Sequence, residues 1–176
     1  YFLAETEGGL FYIDQHAAHE RVMYESLLNQ FLHDKVEVQQ LLQGEVLEVS
    51  TAERLLLEEK KEELQKLGFE LEYFGGNAFV VKTIPLVYGK VKVKELLHDI
   101  LSMLENKKSI LEKKEEILTR MACRAAVMAG DVITIPQMEK IMAELSKTEL
   151  PFTCPHGRPT LMKVTVDELE KKFRRK

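Results

Sequence analysis

Side chains of the types that bind metal ions are concentrated near opposite ends of this chain. The first cluster lies within seven residues and holds Asp14, His16, His19 and Glu20, and the second is the run Cys154-Pro155-His156-Gly157-Arg158-Pro159. Only a fold that joins the two ends can make these clusters one site. Thiolate, imidazole and carboxylate together favour zinc over magnesium or calcium. The sequence therefore predicts a zinc site built from both ends of the chain.

The spacing within each cluster supports this prediction. His16 and Glu20 are four residues apart and share one face of a helix, and Asp14 precedes that helix from a strand end. Alone, Asp14 would be an ordinary helix N-cap and His16 an ordinary histidine at a helix start. Pro155 and Gly157 shape a rigid turn in which the Cys-x-His pair can face one ion. Together, the two clusters favour a metal site.

Three further residues lie in or near these motifs, and local context suggests roles for them. Cys123 lies among small residues on a predicted helix, where local context favours a buried, inert thiol. Arg124 interrupts a largely apolar run and is expected to reach a partner charge. For Arg158, holding a phosphate or orienting a carboxylate and forming a structural salt bridge both remain open.

Signatures of other enzyme classes are missing. Met23 stands where the His-Glu-x-x-His protease pattern would place its second histidine after His19 and Glu20. There is no Pro-Cys-x-x-Cys deaminase motif, no glycine-rich phosphate loop and no Gly-x-Ser-x-Gly elbow. A metalloprotease or a deaminase is therefore disfavoured.

Composition limits the function further. The 176 residues hold 25 basic and 29 acidic side chains, a net charge of −4 that does not indicate a nucleic-acid binder. The basic end at 171–176 is either a local DNA-binding patch or a solvated helix end.

Two cysteines make no disulfide framework and fit a reducing cytosol. No apolar stretch reaches the roughly 18 residues of a membrane span, and the start at Tyr1, inside a predicted strand and without a signal peptide, suggests a domain cut from a longer protein.

Hairpin and helix signals alternate along the chain and predict an α+β fold. Strands are expected at 1–4 and 10–13, then a helix to about Leu32. Ser50 with Glu53 predicts the start of a second helix and Gly68 its end, and further helices are expected over 94–105 and 113–129. A strand, a helix, a hairpin and a helix over 39–104 look like a lobe of their own, inserted between the halves that hold the ligand-type residues. We therefore predict two lobes: a discontinuous one at 1–38 and 105–176 with the metal site, and a smaller inserted α/β lobe at 39–104.

Several motifs resemble one known family. The pattern Asp14-Gln15-His16-Ala17, two residues, Glu20, four residues, Glu25 is similar to the endonuclease motif of MutL-type DNA mismatch-repair proteins. Ala122-Cys123-Arg124 resembles that family's second motif, Cys154–Pro159 its third, and Phe173-Arg174-Arg175 a loose motif near its end. The motifs occur in family order over nearly the whole chain.

The resemblance implies a C-terminal dimerisation and DNA-nicking domain, normally joined to an N-terminal GHKL-type ATPase domain. It places Asp14, His16, Glu20, Cys123, Cys154 and His156 around the metals, with Asp14 essential for nicking and Glu20, Cys154 and His156 the best zinc ligands. Glu25 would orient a ligand or close a salt bridge along the helix face, and Arg124 and Arg158 would support ligands or bind phosphate. Zinc would be mainly structural and regulatory, and Mn²⁺ or Mg²⁺ would support phosphodiester hydrolysis.

The resemblance also implies partners. We expect double-stranded DNA, a bacterial-type homodimer in the cytoplasm at the nucleoid, no membrane, and contacts with a sliding clamp and a MutS-type mismatch sensor. The clamp motif Gln-x-x-Leu/Ile-x-Pro is imperfect here: Gln39 and Leu42 fit, but Gly44 replaces the proline. An extended linker is the alternative for this segment. For the whole chain, the alternative is a zinc-stabilised dimerisation module without nuclease activity.

Overall fold

The computed structural model describes residues 1–86, 92–104, 109–128 and 130–175. These residues form six strands and six helices, which confirms the predicted mixture of the two. Their order is β1 (Phe2–Thr6), β2 (Gly9–Ile13), α1 (Gln15–Leu32), β3 (Val38–Glu48), α2 (Thr51–Lys66), β4 (Glu70–Gly75), β5 (Ala78–Pro85), α3 (Val93–Leu104), α4 (Lys114–Ala125), α5 (Ile135–Leu145), β6 (Leu161–Thr165) and α6 (Val166–Lys172). In the described part of the chain, no helix is long and apolar enough to cross a membrane.

The chain divides into two compact units, 1–25 with 126–176, and 26–125. These bounds differ from those of the lobes predicted from the sequence. The assignment of separate roles to a 39–104 lobe and to the remainder stays a prediction. Each unit contains one three-stranded sheet.

The first unit contains an antiparallel sheet in the order β1-β2-β6. Alternation along the strands turns one face of this sheet to a core. That core joins strand residues to residues of α1 and α5: Phe2, Phe11, Ile13, Ala18, Val22, Met138, Ile141, Leu145 and Leu161. Strand β6, from near the chain end, pairs with β2, so the two ends meet in one sheet and the loop before β6 is brought beside α1.

The second unit contains the antiparallel sheet β3-β5-β4 together with α2, α3 and α4. Helix α2 begins at the predicted cap: the Ser50 hydroxyl accepts from the Glu53 N–H, and Glu53 Oε2 accepts from the Ser50 N–H. It ends before Gly68, whose φ of +92° suits the left-handed position after a helix. The predicted caps, hairpin and helices of this segment are confirmed.

One predicted helix end differs from the structure. A helix was expected over 113–129, but α4 ends at Ala125, and Val127 and Met128 lie outside it. The expected ends at Glu105 and Ala129, and Lys176 of the basic tail, fall outside the described residues. The early end of α4 leaves the backbone of Val127 available to the histidines of the first unit.

Candidate metal centre

The first cluster lies at the junction of β2 and α1, as the sequence predicts. Asp14 Oδ1 accepts hydrogen bonds from the backbone N–H groups of His16 and Ala17, each at 3.0 Å, so Asp14 is the N-cap of the helix. The Asp14 N–H donates to the Thr160 carbonyl at 2.9 Å. Asp14 therefore starts the helix that carries His16 and Glu20 and also joins it to the loop that precedes β6.

The backbone of Val127 orients both histidine rings of α1. His16 Nδ1 lies 2.8 Å from the Val127 carbonyl, and His19 Nδ1 lies 3.1 Å from the Val127 N, whose N–H it accepts. A carbonyl only accepts, so Nδ1 of His16 donates to it, and in the neutral ring Nε2 is the nitrogen with the free lone pair. That Nε2 is 4.0 Å from Glu20 Oε1. His16 is thus held in the orientation that metal-binding histidines use.

His19 is buried and has no role in the predicted ligand set. Burial, with a smaller effect from His16, lowers the pKa of His19 to about 4. Its ring is therefore neutral at pH 7 and can accept the Val127 N–H. His19 anchors the chain after α4, a structural role that its position in the motif did not reveal.

The second cluster lies on a tightly closed loop between α5 and β6. The Gly157 N–H donates to the Cys154 carbonyl at 2.9 Å, which closes a turn with Pro155 in its second position. Gly157 has a φ of +80°, which a residue with a side chain adopts only with strain. The Cys154 N–H in turn donates to the Arg158 carbonyl at 2.8 Å. The predicted rigid turn around Cys154 and His156 is present.

Glu20, Cys154 and His156 come together in the first unit. One ligand atom from each residue lies within 4.8 Å of the others. Glu20 is fully buried, and its Oε1 lies 3.0 Å from His156 Nδ1. Cys154 is 1% exposed, whereas His156 is 43% exposed and lies on the solvent side. The fold has gathered a carboxylate, a thiol and an imidazole from both ends of the chain into one small volume.

Arg158 supplies a positive charge beside this group. Its Nη2 lies 3.3 Å from Glu20 Oε2, the oxygen that does not face His156. A hydrogen bond with the Cys154 side chain raises the pKa of Arg158, partial burial opposes this, and the charges of Glu20, Cys154 and Asp14 add to it. This contact with a carboxylate fits both the orienting role and the structural salt bridge that the sequence left open for Arg158. With 54% of its side chain exposed, Arg158 also faces solvent.

The donor set fits zinc. Zinc in proteins is held by thiolate, imidazole and carboxylate ligands at ~2.0–2.3 Å, and the three ligand atoms are close enough for small side-chain movements to meet one ion. Because Glu20 and Cys154 are buried, water would weaken their attraction for a bound cation less than it does at the protein surface. Because Arg158 occupies Oε2, Oε1 is the oxygen of Glu20 that would face the ion.

Glu25 does not contact the three ligand-type residues in the way a ligand-orienting carboxylate would. Its Oε1 is instead 3.5 Å from Arg21 Nη1, one turn back along α1, as in the helix-face salt bridge that the sequence left open. Arg21 itself was missed. The available signal was an arginine four residues before a glutamate on the motif helix; the structure shows that Arg21 is only 6% exposed.

Cys123, Arg124, Gln39 and Leu42 belong to the second unit. Cys123 is half-buried on α4, and its predicted role at a metal stays a prediction. Arg124 reaches the partner charges expected from the sequence: Nη2 lies 2.7 Å from Asp99 Oδ2 and Nη1 2.5 Å from Glu95 Oε2. The hydrogen bond with Asp99 raises the pKa of Arg124 first, partial burial opposes it, and the bond with Glu95 adds to it. Arg124 thereby fastens α4 to α3.

The sequence of this chain is similar to one family of known proteins. The MutL C terminal dimerisation domain family matches residues 1–133. The chain is 41% identical over 178 residues to the DNA mismatch repair protein MutL of Geobacter sulfurreducens and 38% identical over 177 residues to that of Thermoanaerobacter sp. (strain X514). These alignments cover 99% of this chain but only 29% and 28% of the two relatives, so the chain spans less than a third of their length. The chain therefore belongs to the MutL C-terminal dimerisation domain family.

Proposed function

We propose that this chain is the dimerisation and DNA-nicking part of a protein that acts in DNA mismatch repair. The curated relatives that it matches are DNA mismatch repair proteins. The observation that carries the nuclease proposal is the grouping of buried Glu20 with Cys154 and His156. Asp14, the cap of the same helix, belongs with Glu20 to the motif that resembles the family's endonuclease motif. Zinc would be held by Glu20, Cys154 and His156, with His16 Nε2 as a further donor.

Phosphodiester hydrolysis would use the residues around this group. A bound Mn²⁺ or Mg²⁺ would supply an activated water and stabilise charge on the leaving oxygen. Asp14 contributes negative charge at the helix start, where it would hold such a cation. Half-exposed Arg158 can contact a DNA phosphate, and Arg174 and Arg175 in the tail add positive charge. The overall charge of −4 implies weak DNA affinity that salt would weaken further.

Replacing Asp14 with asparagine tests the nuclease. Asparagine caps helices about as well as aspartate does, so α1 and the thermal stability should be nearly unchanged. The charge at the helix start is lost, and we expect nicking to fall below detection. The measurement is Mn²⁺-dependent nicking of supercoiled plasmid, with and without sliding clamp, for the wild type and Asp14→Asn.

Equal nicking by Asp14→Asn and the wild type would contradict the assignment of Asp14. No nicking by a folded, zinc-loaded wild type, even with clamp, would favour the second candidate, a zinc-stabilised dimerisation module. The position of His16 Nε2, 4.0 Å from Glu20 Oε1, favours this candidate, because structural zinc sites have four protein ligands and His16 would add a fourth to Glu20, Cys154 and His156. A need for the ATPase domain would appear as nicking by the full-length protein alone.

We further propose a homodimer that forms through the open face of the first sheet. Family membership indicates dimerisation, and the face of β1-β2-β6 opposite the core bears a row of exposed apolar side chains. Leu3 pairs with Tyr12, and Tyr12 with Met162, across the three strands. An N-terminal ATPase domain and a MutS-type mismatch sensor are the other proposed partners, in a cytoplasmic, nucleoid-associated setting.

Clamp binding is proposed at the irregular part of β3. Pairing of β3 with β5 is interrupted between Gln40 and Glu45, and Leu42 in this bulge is fully exposed. A Cβ at Gly44 would lie 2.4 Å from Val80 Cγ1, a physical reason for glycine where the family motif has proline. We expect Gln39→Ala with Leu42→Ala to abolish sliding-clamp pull-down. Unchanged binding by the double variant, or no binding by the wild type, would contradict the proposal.

A further inference from the structure

We infer that Arg21 and Glu25 form a positioning pair that sets where the loop bearing Cys154 and His156 begins relative to Glu20. Neither residue is among the metal ligands proposed above. The inference rests on the proposed metal site for its consequence, which is metal affinity. Its structural part, the attachment of the loop to α1, can be tested without metal.

Arg21 holds the peptide unit immediately before the Cys154 side chain. Its Nε donates to the Thr153 carbonyl at 2.6 Å. That carbonyl belongs to the same planar peptide unit as the Cys154 N–H, which donates to the Arg158 carbonyl at 2.8 Å. The peptide unit is therefore held from both sides, and the direction in which Cys154 leaves the backbone is determined.

Glu25 holds the chain just upstream of that peptide. Its Oε2 accepts from the Glu149 N–H at 2.7 Å and its Oε1 from the Leu150 N–H at 3.2 Å. The same Oε1 lies 3.5 Å from Arg21 Nη1. A carboxylate can accept all of these bonds, and hydrogen bonds to a charged acceptor are stronger than neutral ones. The pair thus binds three backbone groups of the segment that enters the loop.

Helix α1 links these hydrogen bonds to the separation between Glu20 and the two ligand-type residues of the loop. Glu20 and Arg21 are adjacent on α1, so the helix fixes the Glu20 carboxylate relative to the Arg21 guanidinium. Hydrogen bonds within the loop, from Gly157 to Cys154 and from Thr160 to Phe152, set its internal shape. The bonds from Arg21 and Glu25 set its place on the helix. Without them the loop could keep its shape and still present Cys154 and His156 too far from Glu20.

The test compares Glu25→Gln with a matched control, Glu58→Gln. Glu58 pairs with Arg54 at the same four-residue spacing on α2, with 3.3 Å between Arg54 Nη1 and Glu58 Oε1. The amide that Glu25→Gln introduces offers one acceptor oxygen where the carboxylate has two, and its NH₂ would face a backbone N–H. Zinc dissociation constants come from competition with a chromogenic chelator. Hydrogen exchange of the 149–157 amides is measured on metal-free protein.

We expect Glu25→Gln to raise the zinc dissociation constant by about 10-fold, the lower end of the ~10- to 100-fold effect of partners bonded directly to ligands, because Glu25 acts through the loop backbone. Exchange of the 149–157 amides should quicken in the same variant, and Glu58→Gln should change neither quantity. Arg21→Lys, which keeps the charge but lacks the Nε–H, should weaken zinc binding in the same direction, and it serves if Glu25→Gln fails to fold.

Failure of the positioning pair and failure of the metal site give different results. Unchanged zinc affinity in Glu25→Gln and Arg21→Lys, when the wild type binds zinc, would overturn the positioning pair and leave the metal site intact. A wild type that binds no zinc would overturn the proposed metal site. The attachment of the loop would then be judged by hydrogen exchange, and unchanged exchange in both variants would overturn it too.

Discussion

Glu20→Gln is expected to abolish stabilisation by zinc while leaving the metal-free protein folded. Glu20 contributes the buried carboxylate of the candidate centre, with Oε1 3.0 Å from His156 Nδ1 and Oε2 3.3 Å from Arg158 Nη2. Glutamine has nearly the same shape, so the core around α1 should be kept. The negative charge that attracts the ion is lost. We expect the zinc dissociation constant to rise by more than about 100-fold, since even residues outside the ligand set change it ~10- to 100-fold.

Thermal denaturation with and without zinc measures this effect. At free zinc of about 100 times the wild-type dissociation constant, binding adds about 2.7 kcal/mol to the free energy of unfolding. A variant with about 100-fold weaker affinity would gain only about 0.4 kcal/mol by the same relation. Exposed Glu62 on α2 offers a control, because Glu62→Gln removes one carboxylate without touching the centre. Equal stabilisation of Glu20→Gln and wild type by zinc would exclude Glu20 as a ligand.

Leu3→Glu combined with Met162→Glu is expected to convert the proposed dimer into monomers. Both side chains lie on the open face of the first sheet, 61% and 58% exposed, and flank Tyr12 of the central strand β2. In a two-fold symmetric dimer each substitution is present twice. Burying an apolar side chain contributes ~1.5–3 kcal/mol, and burying an unpaired carboxylate costs more than that. The dimer dissociation constant should therefore rise by several orders of magnitude.

Sedimentation velocity over a range of concentrations measures the dimer constant. Because the substituted side chains are exposed within one chain, the core of Ile13, Val22 and Ile141 is untouched and circular dichroism should be unchanged. Leu55→Glu on α2 is the matched control, since Leu55 is 56% exposed and belongs to the second unit. A dimer that survives the double variant would place the interface on another surface.

Local elements were predictable because short-range chemistry determines them. Ser50 and Glu53 form the capping box that their spacing predicts, and Asp14 caps α1 as expected. The turn of Pro155 and Gly157 also follows from residues that lie next to one another. In each case the groups that bond are within four residues, so the sequence displays the whole interaction.

Features made by distant residues were not predictable in the same way. The end of α4 at Ala125 accompanies two hydrogen bonds of the Val127 backbone: its carbonyl accepts from His16 and its N–H donates to His19, and both histidines lie more than 100 residues away in the chain. The attachment of Arg21 to Thr153 spans a similar separation. No local pattern marks either backbone group, because every residue offers the same carbonyl and every residue except proline the same N–H.

The sequence by itself determined which side chains of metal-ligand type this protein presents: His16 and Glu20 spaced on one helix face and Cys154 in a rigid turn, in motifs that resemble one family. The tertiary structure alone decided which of these residues meet. Pairing of β6 with β2 brings Cys154 and His156 to Glu20 and leaves Glu25 with Arg21 at the entrance of the loop. The physical reason is that side-chain type and spacing are written in the chain, whereas contacts across more than 100 residues depend on how sheets and helices pack.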